Sequence, residues 1–150
     1  VVMKRAFGFA GRGQKRVDRS DVDAAVEAWV AGSFVGPFAG LVIEPAVELI
    51  DEWSVQGCAV AEGARLRRSV GFQSDRAGAF EAAVRGAAPD EGTREALHAV
   101  FGVVGRRVVA AGYRGPLAFD AFRYHSGGET RLRALSDLNA RLTRTTFSRV

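Results

Sequence analysis

The spacing of apolar and polar residues predicts two helices in this chain. Across residues 22–30, valines, alanines and a tryptophan fall on one helical face. Ser20 or Asp21 is expected as the N-cap of this helix and Gly32 as its end. From residue 91 to residue 111, apolar residues recur at steps of three and four, which predicts a longer amphipathic helix. The residues of that apolar stripe are Leu97, Phe101, Val104, Val108 and Ala111.

Apolar runs separated by turn residues predict the strands. They are expected over residues 1–4, 14–18, 41–44, 52–61, 64–72, 117–124 and 130–138. The strand over residues 41–44 is expected to be buried and to stop at Pro45. Strands and helices are mixed rather than strictly alternating, which predicts an α+β fold with an antiparallel sheet packed against helices.

Composition and charge narrow the class of protein. The chain has 150 residues, 47% of them hydrophobic and 25% charged, which suits one globular domain and excludes a disordered chain. No apolar run reaches the roughly 18–20 residues that cross a bilayer. The single cysteine, Cys58, excludes an internal disulfide and a multi-thiolate metal site. We therefore expect a cytoplasmic protein with no membrane partner.

The net charge of +4 comes from 21 basic residues, of which only Lys4 and Lys15 are lysine. The basic residues are spread along the chain and form no recognition motif. A nucleic-acid-binding domain is therefore the least favoured of the functions considered.

The last predicted hairpin gathers acidic side chains on one face. Its turn pairs Ser126 with Glu129, which places Asp120 opposite Leu135. Side-chain alternation then puts Asp120 and Asp137 on one face as diagonal neighbours, about 7–8 Å apart at Cα. Asn139 shares this face. The opposite, apolar face is expected to pack on the long helix and carries Leu117, Phe119, Ala121, Leu132, Ala134 and Leu138.

Two interpretations of the acidic face are open. Two carboxylates at that separation can converge on a hard cation such as Mg²⁺. The alternative is a solvated sheet face neutralised by Arg123, Arg131 and Arg133.

The first hairpin contains a second candidate site. Its loop, residues 5–13, holds Gly8, Gly11 and Gly13, and such a loop can present backbone N–H groups to a polyphosphate. Lys4 would add a positive charge. The alternative is a glycine-rich turn without a ligand.

Four segments resemble known motifs in their usual order. Residues 2–13, VMKRAFGFAGRG, are similar to a lysine and glycine-rich phosphate loop, and residues 41–47, LVIEPAV, to a hinge where adenine docks. Residues 112–122, GYRGPLAFDAF, resemble the strand with a first metal carboxylate, and residues 137–141, DLNAR, an acidic-x-Asn-x-Arg motif. Together they resemble the ATP-grasp family, which includes biotin carboxylase and D-alanine–D-alanine ligase.

The resemblance implies a fold, a reaction and a set of ligands. The family holds ATP between two antiparallel α+β lobes, and most members activate a carboxylate as an acyl phosphate, which an amine or thiol then attacks. ATP and Mg²⁺ (or Mn²⁺) would be the cofactors, and small-molecule carboxylates and amines the substrates. Residues 1–150 would form one partial domain, with about residues 1–40 ending the first lobe and about 41–150 forming the second.

The resemblance also implies roles for individual residues. These are Lys4 with Gly8, Gly11 and Gly13 for the phosphates; Glu44 and the Val47 backbone for adenine; Glu52 for the ribose; Asp120, Asp137 and Asn139 for the metal; and Arg141 for charge on the transferring group.

The chain departs from the family pattern in three respects. The family commonly has proline or threonine where Ala140 stands. The family usually has glutamate, one methylene longer, where Asp137 stands. Its members also have an N-terminal domain and a further first-lobe lysine, so we expect an upstream portion that is missing or encoded separately. A non-catalytic remnant that acts as a subunit or binding module beside a partner is therefore the alternative to an active ligase.

Overall fold

The computed structural model describes residues 1–9, 12–37, 39–75, 80–84 and 86–143. Within them the fold is α+β, as predicted, but its strands form two antiparallel sheets rather than one. The strands are β1 Val2–Phe9, β2 Arg12–Arg16, β3 Leu41–Glu44, β4 Glu48–Val60, β5 Gly63–Ser74, β6 Phe80–Ala83, β7 Gly115–Ser126 and β8 Glu129–Asn139; the helices are α1 Ala24–Ala31 and α2 Glu91–Ala110. None of the described helices is long and apolar enough to cross a membrane.

The chain divides into two compact units. The first covers Val1–Val47 and Ser74–Phe80, and the second covers Glu48–Gln73 and Glu81–Val150. A three-stranded sheet of order β2-β1-β3 belongs to the first unit. A five-stranded sheet of order β6-β5-β4-β7-β8 belongs to the second, apart from the strand-end residues Ser74 and Phe80.

In the first unit, α1 begins later than the sequence predicted. Asp23 caps it by accepting a 2.8 Å hydrogen bond from the Val26 N–H. The predicted caps Ser20 and Asp21 are wrong, because both lie in a short 3-10 helix before α1. Gly32 ends the helix as expected. A small apolar core joins helix and sheet, and its buried members are Met3, Val17 and Val26.

The strand β3 has the predicted bounds but not the predicted burial. Val42 is 50% exposed and Ile43 is 60% exposed. The reason is topological, since β3 lies at the edge of its sheet and pairs only with β1.

In the second unit, α2 packs on one face of the five-stranded sheet. Asp90 caps the helix through the Thr93 N–H at 2.9 Å, and the helix bounds agree with the prediction to within one residue. Ala111 is the exposed C-cap rather than part of the buried stripe. The buried core between helix and sheet consists of Trp53, Val55, Leu97, Phe101, Leu117, Phe119 and Ala121.

Candidate metal and nucleotide site

Strand alternation separates an apolar from a polar face in the five-stranded sheet. On β4, Trp53 and Val55 contribute to the core beneath α2, so Glu52, Ser54 and Gln56 lie on the other face. Because β4 pairs with β7 and β7 with β8, this face continues across three strands. Ser54 lies opposite Asp120, and Asp120 opposite Asp137. We call Glu52, Ser54, Asp120, Asp137 and Asn139 the polar cluster.

The register of the last hairpin differs from the predicted one. Phe122 pairs with Arg133 as parity requires, but Asp120 pairs with Asp137 rather than with Leu135. An irregularity between these pairs inserts two residues into β8, and an even insertion leaves side chains on the same face. The two aspartates are therefore directly opposite, where Cβ atoms are about 4.5–5.5 Å apart, and the diagonal arrangement was wrong.

The apolar face is nearly as predicted. Leu117, Phe119 and Ala121 are buried in the α2 core, and Leu132 and Ala134 pack against it. Leu138 is the exception, because its side chain is 45% exposed.

Asn139 connects the two carboxylates. Its Nδ2 donates to Asp120 Oδ2 at 3.3 Å and makes a longer contact of 3.5 Å with Asp137 Oδ2. The Asn139 side chain is buried, so its amide is held in place beside the two carboxylates. The structure thus brings together the three side chains that the sequence analysis assigned to a metal.

The polar cluster perturbs the acidity of Asp120. Burial is the largest influence and raises the pKa of the Asp120 carboxyl from 3.8 to about 6. The Ser54 hydroxyl lowers this pKa, while the negative charges of Asp137 and Glu52 raise it. The Arg141 guanidinium lowers it as the smallest of these effects. Asp120 is therefore a partly buried carboxylate whose ionised form a nearby cation would stabilise.

Ser54 is the site residue that sequence reasoning missed. Its hydroxyl is buried and close enough to Asp120 to favour the ionised carboxylate. Among the described residues, however, no group lies at the distance and angle of a hydrogen bond to this hydroxyl. An unsatisfied buried hydroxyl costs about 1–3 kcal/mol, which a ligand oxygen or cation can offset. The alternation of Glu52, Ser54 and Gln56 with apolar neighbours was the signal that could have found it.

The donor set fits a hard divalent cation. Asp120 and Asp137 offer carboxylate oxygens and Ser54 a hydroxyl, which are groups typical of Mg²⁺ or Mn²⁺ sites. The Asn139 Nδ2 donates to both carboxylates, so only the Asn139 Oδ1 could bind a cation. The described residues contain no group of three His, Cys, Asp or Glu side chains arranged for a metal. Mg²⁺ commonly uses one or two protein carboxylates and takes its other ligands from water and phosphate, and Asp120 with Asp137 provides two carboxylates.

The first unit brings together two residues assigned to the nucleotide. Lys4 Nζ forms an ion pair with Glu44 Oε2 at 2.7 Å, across the β1–β3 pairing. Val47 is part of the same unit, in the segment after β3, and is partly buried. Glu52 belongs to the second unit, and its negative charge raises the pKa of Asp120. It therefore lies near Asp120 rather than with Lys4 and Glu44 in the first unit.

The glycine loop is shorter than predicted. β1 continues through Gly8 to Phe9 and β2 starts at Arg12, so most of the expected loop is strand. Gly13 has a φ of 87°, in the left-handed region that favours glycine. Gly11 lies outside the described residues.

No protein-family model matches the chain, and no curated protein matches it.

Proposed function

We propose that the chain is the Mg-ATP-binding domain of a carboxylate–amine (or thiol) ligase of the ATP-grasp type, which activates a carboxylate as an acyl phosphate. The main observation behind the proposal is that the side chains of Asp120, Asp137 and Asn139 lie next to one another on one face of an antiparallel sheet. The α+β fold with antiparallel sheets is compatible with that family.

The charges of the polar cluster support a metal-dependent role. Two carboxylates placed directly opposite each other repel, and the raised pKa of Asp120 reflects burial together with that repulsion. A divalent cation offsets both costs and can also bridge phosphate oxygens, which is the main requirement of phosphoryl transfer. Arg141, which already acts on Asp120, would add positive charge for the transferring group.

In the first unit, Lys4 is the proposed phosphate contact. Its ammonium group is paired with Glu44, and its side chain is about a third exposed. A triphosphate carries more negative charge than one carboxylate, so it can take over Lys4 as a point-charge donor. Glu44 would then be released towards the adenine end, as the family resemblance implies.

Calorimetric titration of the purified chain with ATP tests this function. We expect binding that requires Mg²⁺ and weakens at least about tenfold in Asp120→Asn. Glu129→Gln is the matched control, because it removes a carboxylate at the turn end of the same hairpin. Lys4→Gln should weaken ATP binding, and Lys15→Gln, on the neighbouring strand, should not. Binding that is indifferent to Mg²⁺, to Asp120→Asn and to Lys4→Gln would contradict the proposal.

A second candidate function is that of a non-catalytic subunit or binding module. The exposed apolar side chains of the first unit favour it, notably Val42 and Ile43 on the edge strand β3 and Phe34 and Val35 after α1. An exposed edge strand with apolar side chains is suited to pairing with another chain. A monodisperse monomer that hydrolyses ATP unaided, seen by sedimentation and ADP release, would exclude this alternative.

A further inference from the structure

A groove next to the polar cluster has a different chemistry. It is a cavity of about 460 Å³ on the second unit, and its polar and reactive lining residues are Gln56, Cys58, Arg67, Arg68 and Arg141. We propose that this groove binds a small organic anion through carboxylate or phosphate oxygens.

A strand irregularity accounts for the paired arginines. Successive strand residues normally point to opposite faces, yet Arg67 and Arg68 both line the groove. Gln56 pairs with Arg68 while Gly57 pairs with Leu66, which leaves Arg67 as the additional residue of a bulge in β5. Bulges change the direction of a side chain, and here the change places a second guanidinium beside the first.

One of the arginines is held in place. Arg68 Nε donates to Gln56 Oε1 at 3.2 Å, and the Gln56 side chain is buried. The hydrogen bond fixes the orientation of a guanidinium, a planar group whose geometry matches carboxylate and phosphate oxygens.

The composition of the groove favours an organic anion. Three guanidinium groups line it, and none of the described lining residues is acidic. Pro116 and Leu142 are exposed and supply apolar surface on which a carbon skeleton can pack. The cavity volume lies within the range of about 300–1,000 Å³ that is usual for small-molecule sites.

The groove begins one row along the same sheet face from the Asp120–Asp137 pair. Gln56, Ala118 and Asn139 are paired across the three strands in the row after that of Ser54, Asp120 and Asp137. Such rows are two residues, or roughly 7 Å, apart along a strand. The anion site needs neither a metal nor ATP, and its paired arginines belong to none of the motifs that support the nucleotide proposal.

Cys58 provides a direct readout of this site. It is the only cysteine of the chain, and it lines the groove as a free thiol. We would compare its alkylation rate by anionic iodoacetate with that by neutral iodoacetamide, without Mg²⁺ or ATP. The groove arginines should attract the anionic reagent. At low salt the ratio of the iodoacetate rate to the iodoacetamide rate should therefore be at least about fivefold higher for Cys58 than for a small model thiol.

Variants decide whether the groove arginines cause the effect. Arg67→Gln and Arg68→Gln should each reduce the ratio, whereas Arg106→Gln, the same charge change on helix α2, should leave it unchanged. Arg67 is exposed, so its variant keeps the test valid if Arg68→Gln does not fold. A ratio equal to that of the model thiol, or insensitive to both groove variants, would overturn the proposal.

Protection of Cys58 distinguishes the ligand classes. At constant ionic strength, citrate and inorganic phosphate would be added separately during alkylation. Protection by citrate alone assigns a carboxylate, protection by phosphate alone assigns a phosphate, and protection by both assigns a general oxyanion site; each should be lost in Arg67→Gln. Failure of both anions to protect would overturn the proposal, whatever the outcome with Mg-ATP.

Discussion

At the scale of single residues, Asp120 combines burial with neighbouring negative charge. The pKa of its carboxyl is raised to about 6, chiefly by burial and further by the negative charges of Asp137 and Glu52. At neutral pH the protein therefore keeps an ionised group in a position that disfavours ionisation. A free-energy cost of ionisation is typical of functional sites, because a charged ligand can offset it.

Replacement of Asp120 by asparagine should stabilise the ligand-free protein at neutral pH. In the wild type, the stability associated with protonated Asp120 is fully present below the unfolded-state pKa of 3.8 and is lost as the pH rises towards 6. Asp120→Asn should therefore equal the wild type near pH 4 and exceed it by roughly 1–3 kcal/mol above pH 6. Urea denaturation from pH 4 to pH 8 with a chelator present measures this difference. A difference independent of pH would contradict the buried, ionised carboxylate.

At the scale of elements, a close approach fixes helix α2 against strand β5. A Cβ built on Gly105 would lie 2.2 Å from the Ala64 Cβ, so glycine is required where helix and strand meet. Gly102, one turn earlier on the same helix, has its nearest such neighbour at 3.6 Å, the end of the flexible Arg106 side chain.

The two glycines should respond in opposite ways to alanine. Gly105→Ala forces helix and strand apart and should destabilise the protein by about 1–3 kcal/mol. Gly102→Ala meets no obstacle and should stabilise it by about 0.5–1 kcal/mol through helix propensity. Thermal unfolding of both variants measures the contrast. Equal effects would mean that α2 does not pack on Ala64 as described.

Elements with local signals could be predicted from the sequence. The α2 stripe of Leu97, Phe101 and Val104 and the glycines of the last turn define their elements within a few neighbouring residues. The pairing of Ser54 with Asp120 joins strands that are distant in sequence, and no local period encodes it. The two extra β8 residues between the Asp120–Asp137 and Phe122–Arg133 pairs could not be predicted either, because an even insertion preserves the alternation of faces.

At the scale of the whole molecule, the proposed chemistry is divided between the units. Asp120, Asp137 and Asn139, the residues proposed to bind a cation, lie in the second unit, and the Lys4–Glu44 pair lies in the first. We therefore expect Lys4→Gln to leave the metal affinity unchanged. The ATP affinity should fall when binding residues are replaced in either unit. This separation allows the metal claim to be tested without the nucleotide.

The most direct test of the central claim is a Mn²⁺ titration followed by the paramagnetic resonance signal of free Mn²⁺. We expect a Mn²⁺ site whose affinity falls about 10- to 100-fold in Asp120→Asn and is unchanged in Glu129→Gln and Lys4→Gln. Its affinity should fall as the pH drops below 6, where protons compete for Asp120. Equal Mn²⁺ binding by folded wild type and Asp120→Asn would contradict the assignment of this sheet face as a metal site.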